Sequence, residues 1–119
     1  MPNDPDSEVQ ALLPLASAFL HILIALGEGE RHGYGIMQEV TARTSGRVRM
    51  SPGTLYGSIK RMLADGLIEE LTTGAAGADE RRRFYRLTKF GRRVAVAETE
   101  RLASLLSQAR SAGLAPRRA

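Results

Sequence analysis

Apolar residues recur at helical spacing along most of this chain, and polar breaks divide it into separate elements. Leu15, Phe19, Ile22, Leu23 and Leu26 trace one apolar stripe, with Pro14 or Ser17 marking its entry and Gly27-Glu28-Gly29 its end. Ala16, Leu20 and Ile24 make other sides of this helix apolar too, so it needs cover on more than one face. A second helix is predicted from about Tyr34 to Thr44, with Ile36, Met37 and Val40 inward and Gly46 closing it. Arg47-Val48-Arg49-Met50 then alternate as a very short strand would. The stretch from Met50 to Ile68 is the most clearly bounded. Ser51 is a good N-cap, Pro52 suits the first helical position, and Gly66 stands where a glycine ends a helix. Leu55, Ile59, Met62 and Leu63 form its buried stripe. The opposite side holds Gly53, Gly57, Lys60, Arg61 and Ala64, with Thr54 and Tyr56 at the borders.

Leu67 to Leu71 and Arg83 to Leu87 read as two strands joined by the glycine- and alanine-rich Thr72 to Arg82, a hairpin with a flexible tip. Thr88 caps a last helix that continues to about Ser111. Phe90, Val94 and Ala97 keep one helical stripe there, and Leu102, Leu105, Leu106 and Ala109 resume it one residue out of phase. The distal half of that helix has little of so small a domain to pack on, and is expected to meet the same helix of a second copy. Three helices, a two-stranded ribbon and a long helix form the plan of a winged helix-turn-helix, a mainly α (α+β) fold whose third helix enters the major groove. The chain is thus expected to comprise a disordered tail over residues 1–12, a winged helix-turn-helix over 13–88, a dimerisation helix over 89–112 and a flexible tail over 113–119.

Charge sharpens this picture through its distribution. The 119 residues carry 17 Lys/Arg against 13 Asp/Glu, a net of +4, within the size of one domain. Between Arg43 and Arg93, however, twelve basic residues face five acidic ones, a local surplus of seven. A basic middle with neutral flanks is the footprint of a nucleic-acid binder, although a solvated basic surface gives the same count. The absence of cysteine excludes disulfides and thiolate chemistry. The start, MPNDPDSE, lacks the order of a signal peptide, and the apolar run Ala18 to Leu26 is too short to span a bilayer. A soluble, cytoplasmic protein is the expectation.

Candidate DNA contacts follow from placement. Lys60 and Arg61 can pair with phosphates, and an arginine can read a guanine edge. Ser51 and Thr54 lie where a helix start meets a phosphate. Tyr56 borders the same face, with packing at the domain edge as the alternative. Gly53 and Gly57 each lower helix propensity by roughly 1 kcal/mol. Close approach to DNA or, for Gly57, close packing on a neighbouring helix would account for that. Arg81, Arg82 and Arg83 fall at the base of the hairpin loop, and Arg47 and Arg49 point the same way from a strand placed to pair with the wing. Tyr34 packs at the start of its helix or touches a phosphate. Phe84 and Leu87 read as core. Dimerisation is assigned to Phe19, Ile22, Leu23, Val94, Ala97, Leu102, Leu105 and Leu106, with His21 packed at the same interface. His21 and His32 lack the spacing partners of a metal site. No metal or other cofactor is expected. No constellation of paired carboxylates, nucleophile and base is present, so an enzyme is not expected.

Four segments in order carry a resemblance. His32-Gly33-Tyr34-Gly35-Ile36, Ser51-Pro52-Gly53-Thr54-Leu55-Tyr56, Gly66-Leu67-Ile68, and Arg83-Phe84-Tyr85-Arg86-Leu87-Thr88 with Gly91 are similar to the PadR family of transcriptional regulators, over about residues 15–112. The single C-terminal helix places the resemblance in the compact branch of that family. It implies a homodimer joined through its first and last helices, usually a repressor of a palindromic promoter element in double-stranded DNA, and in several members release by a small-molecule effector. The tryptophan-lined drug pocket of the family does not carry over, because the chain has no tryptophan. The alternative function on the same fold is a protein-interaction module that docks an acidic partner.

Overall fold

The computed structural model describes residues 5–71 and 83–116. Its elements run α1 (Pro5–Ala11), α2 (Ser17–Ala25), β1 (Arg31–His32), α3 (Gly33–Arg43), α4 (Pro52–Ala64), β2 (Ile68–Leu71), β3 (Phe84–Leu87) and α5 (Lys89–Ser111). The three strands form an antiparallel sheet in the order β1-β3-β2, with Glu69 opposite Arg86 and His32 opposite Phe84. This is the expected winged helix-turn-helix with two additions and one correction.

The first addition is α1. Residues 5–11 belong to the stretch expected to be disordered, yet they are helical. Asp6 and Glu8 stand in the first turn, where the helix dipole favours acids. Val9 is buried as this helix packs on α5. The second addition is β1, which makes the wing sheet three-stranded. The correction concerns Arg47 to Met50, which form no strand. That segment is shaped by a tight turn instead, in which the Val48 amide donates to Thr44 Oγ1 at 3.0 Å.

One core joins α2, α3, α4, the sheet and the first half of α5. Ile22, Leu23, Leu26, Ile36, Leu55, Met62, Leu67 and Val94 are its innermost side chains. Ile22, Leu23 and Val94 are therefore corrected from dimerisation contacts to core residues: each is at most 1% exposed within a single chain. Their helical stripe is real, but the chain itself covers it.

The end of α4 is sharply made. Gly66 adopts φ +74, and the Leu67 amide donates back to Met62 O at 2.9 Å, closing the helix and turning the chain into β2. The start of α5 is fastened to the same corner. Thr88 Oγ1 donates to Gly66 O at 2.6 Å and accepts from the Gly91 amide at 2.9 Å. Gly91 crosses so close that a Cβ there would lie 1.8 Å from Leu67 O.

Further along α5, Glu98 occupies the position four after Val94 and is buried with it. The Arg101 Nε and Nη2 donate to its two oxygens at 2.6 and 2.9 Å, and the Leu15 amide donates at 3.1 Å. The Arg101 guanidinium, aided by the Leu15 amide and opposed by burial, holds the Glu98 carboxyl below the usual carboxylate range. This contact ties α5 to the segment leading into α2. Beyond it, Leu102, Leu105 and Leu106 are exposed, at 38%, 50% and 42%.

Candidate nucleic-acid interface

The surface in question is built on α4. Ser51 Oγ accepts from the Thr54 amide at 3.1 Å and donates to Thr54 Oγ1 at the same distance, so the expected cap is in place and the two hydroxyls are tied together. Leu55, Ser58, Ile59 and Met62 are buried. That leaves Gly53, Thr54, Gly57, Lys60, Arg61 and Ala64 exposed on the opposite side. The alternatives left open for Gly57 separate here. A Cβ on Gly57 would meet nothing within 4 Å, so no neighbouring helix requires the glycine. The outer face of α4 is shallow, with a cation at each flank.

The two cations differ. Lys60 makes no ion pair with any described residue. Arg61 Nε reaches Asp65 Oδ2 at 3.3 Å, one turn on. Ion pairs also restrain several arginines elsewhere. Arg43 bridges Glu28 at 2.7 Å and Glu39 at 2.6 Å, and its guanidinium is held all the more firmly in the charged form by those two carboxylates. It therefore contributes little to the basic surplus counted along the sequence. On the wing, Arg86 pairs with Glu69 at 2.6 Å and Arg83 lies 3.7 Å from Glu70. Exposed pairs of this kind are weak and exchange readily for other anions.

Of the remaining sequence candidates, Tyr34 is exposed at the first turn of α3, and Arg47 and Arg49 are exposed in the connection that delivers the chain to α4. Arg49 Nε donates to Gly46 O at 3.3 Å. Arg83 is exposed at the start of the wing strand, whereas Arg81 and Arg82 lie outside the described residues. Tyr56 is a correction. Its ring turns inward against Gly33 at the start of α3, and its hydroxyl is shielded from solvent, so it is not presented to a ligand on the outer face. Of the residues assigned to dimerisation, Phe19 and Ala97 are half-buried and the three distal leucines are exposed.

Two residues escaped sequence reasoning. His32 is the N-cap of α3: its Nδ1 accepts from the Gly35 amide at 2.9 Å. The signal was there, since an acceptor three residues before Gly35 at the head of a helical pattern is where a cap belongs. Glu98 was the other, and its place in the stripe four residues after Val94 marked it as buried. Among the described residues, no cluster of three or more His, Asp or Glu could hold a metal ion, and no helix is long and apolar enough to cross a membrane.

Comparison with known proteins agrees with this geometry. Residues 22–97, more than half of the chain, match the family described as "Transcriptional regulator PadR-like family". The chain is 39% identical over 80 residues to "Transcriptional regulator Rv3488" of Mycobacterium tuberculosis, which covers 65% of this chain and 67% of that protein. Among solved structures, a transcriptional regulator from Clostridium thermocellum superposes with a TM-score of 0.67 at 24% identity, covering 79% of this chain and 87% of that one. PadR of Bacillus subtilis, solved in complex with operator DNA, does so with 0.60 at 22% identity, covering 75% of this chain and 48% of that one. These two likenesses, at such low identity, concern the fold. This chain belongs to the PadR-like family of transcriptional regulators and is a DNA-binding protein of winged helix-turn-helix fold.

Proposed function

We propose that the protein is a homodimeric repressor that acts in the cytoplasm on a pseudo-palindromic operator, reading it with α4 and steadying itself on the flanks with the wing. The observation that carries the reading is the outer face of α4, where open space over Gly57 lies beside the exposed Lys60. A duplex can approach such a backbone closely, while Lys60 and Arg61 engage phosphates on either side and the Ser51–Thr54 turn meets another. Gly53, Gly57 and Ala64 offer no side-chain hydrogen bonds. Sequence choice therefore rests on few side chains together with the shape of the groove and the wing. Arg61, Arg83 and Arg86 exchange their carboxylate partners for phosphates on binding. The operator complex of the Bacillus subtilis relative supports the assignment.

The dimer in this reading is joined through the distal half of α5, with Phe19 and Ala97 at its margin. It sets two copies of α4 about 34–36 Å apart, so that they enter successive major grooves on one side of the duplex. A groove of about 980 Å³ between α1 and α5, lined by Val9, Leu13, Val96 and Ala97 together with Arg92 and Arg93, is the place for a small effector that releases the protein from DNA.

The test is a gel-shift titration of Lys60→Ala/Arg61→Ala. The pair is expected to lose roughly 10- to 100-fold in operator affinity while keeping its fold by circular dichroism. Unchanged affinity in a folded variant contradicts the reading. A salt titration against random duplex separates it from a protein-docking module, because only a DNA binder shows weak, steeply salt-dependent non-specific association.

A further inference from the structure

Two consecutive residues, His32 and Gly33, connect the recognition helix to the wing. His32 is the second residue of β1 and stands opposite Phe84 of β3. Its imidazole meets the Phe84 ring edge to face, with centroids 5.6 Å apart and planes at 84°. Through Nδ1, which accepts from the Gly35 amide, the same ring caps α3. In the neutral ring the proton is then on Nε2. The next residue, Gly33, is buried against α4: a Cβ there would come 2.7 Å from the Tyr56 hydroxyl and 2.9 Å from Tyr56 Cε1. The contacts thus run in series from Tyr56 of α4 through Gly33 and His32 to Phe84 of the wing. Tyr56, partly buried, also packs against the central core that contains Ile22, Leu55, Met62 and Val94.

We propose that His32 is a positioning residue of the DNA-binding surface, a single imidazole that by capping α3 and bracing β3 fixes the wing relative to α4. The proposal rests on the reading of α4 and the wing as the two DNA-contacting elements. It assigns a function to Tyr56 as well, as the side chain through which α4 feels the brace. The cap and the brace are separable by substitution. His32→Asn keeps a side-chain acceptor of the kind favoured at an N-cap and removes the ring. His32→Phe keeps a ring opposite Phe84 and removes the acceptor.

The experiment has one arm without DNA and one with it. In amide hydrogen exchange of the free protein, His32→Asn is expected to quicken exchange in β1 and β3 about tenfold while the first turn of α3 stays protected; His32→Phe is expected to give the reverse pattern. In hydroxyl-radical footprints on a selected operator, His32→Asn is expected to keep protection at the half-site centres and lose it at the flanks, with affinity about tenfold lower. A folded His32→Asn protein whose exchange and footprint both match wild type overturns the proposal. If wild type itself binds no duplex, the DNA-binding reading falls and the positioning function with it. Wild-type binding with an unaltered His32→Asn footprint overturns the function of His32 alone.

Discussion

The outer face of α4 and the distal half of α5 are both helical surfaces that one chain leaves uncovered, and they are opposite in kind. The first is shallow and cationic, with Gly53, Gly57 and Ala64 between Lys60 and Arg61. The second carries Leu102, Leu105 and Leu106 along a helix that has left its domain. Apolar side chains gain by leaving water, so the α5 face calls for another apolar face. A glycine-lined cationic face gains little that way and is suited to an anionic surface brought close to backbone. On the proposed reading the same fold presents one surface for its own kind and another for a polyanion, and the residue types alone distinguish them.

The largest effect is expected from giving the α5 face charge. Leu105→Glu/Leu106→Glu places four carboxylates in the seam of the proposed dimer. It is expected to give a folded monomer in analytical ultracentrifugation, with operator affinity reduced by at least about 100-fold as the second half-site is lost. A variant that remains dimeric shows that the seam lies elsewhere.

Loosening α5 without touching either face has a smaller effect. Glu98→Gln removes one arm of the Arg101 contact and is expected to destabilise the fold by about 1–3 kcal/mol in denaturant titrations at neutral pH. The sign of its pH dependence follows from the lowered pKa. The folded carboxyl holds its proton less tightly than the unfolded one, so its contribution is complete above the ordinary value of 4.5 and fades as pH falls through the lower folded value. Wild type and Glu98→Gln should accordingly converge in stability in acid and stay apart at neutral pH.

The smallest effect is the most specific to α4. Gly57→Ala has room in the folded chain and improves helix propensity, so stability should rise by roughly 1 kcal/mol. If the glycine is kept for close approach of DNA, operator affinity should fall as the melting temperature rises. A variant that gains in stability and keeps its affinity removes that explanation.

The parts of the fold legible in the sequence were those with local causes. Ser51, Pro52 and Gly66 bound α4 by their own backbone and capping preferences, and Thr88 does the same for the start of α5. The parts not legible depend on distant partners. α1 is seven residues long, and its buried Val9 belongs to a helix that rests on α5, far along the chain. β1 has two residues, too few for any alternation to be seen, and is a strand only because β3 lies beside it. The same limit applies to the sites. Helical spacing showed that Ile22, Leu23 and Val94 face an apolar surface but could not say whether that surface belongs to the same chain. For Tyr56, a border position on the wheel left inward and outward both open, and contact with Gly33 decides for inward.

Whether two copies of α4 read DNA together is decided by selection of bound sequences from random duplex by the wild-type protein. An inverted repeat is expected, with half-site centres about one helical turn apart, roughly 10–10.5 base pairs. Enrichment of an unpaired half-site, or of no sequence at all, would contradict it.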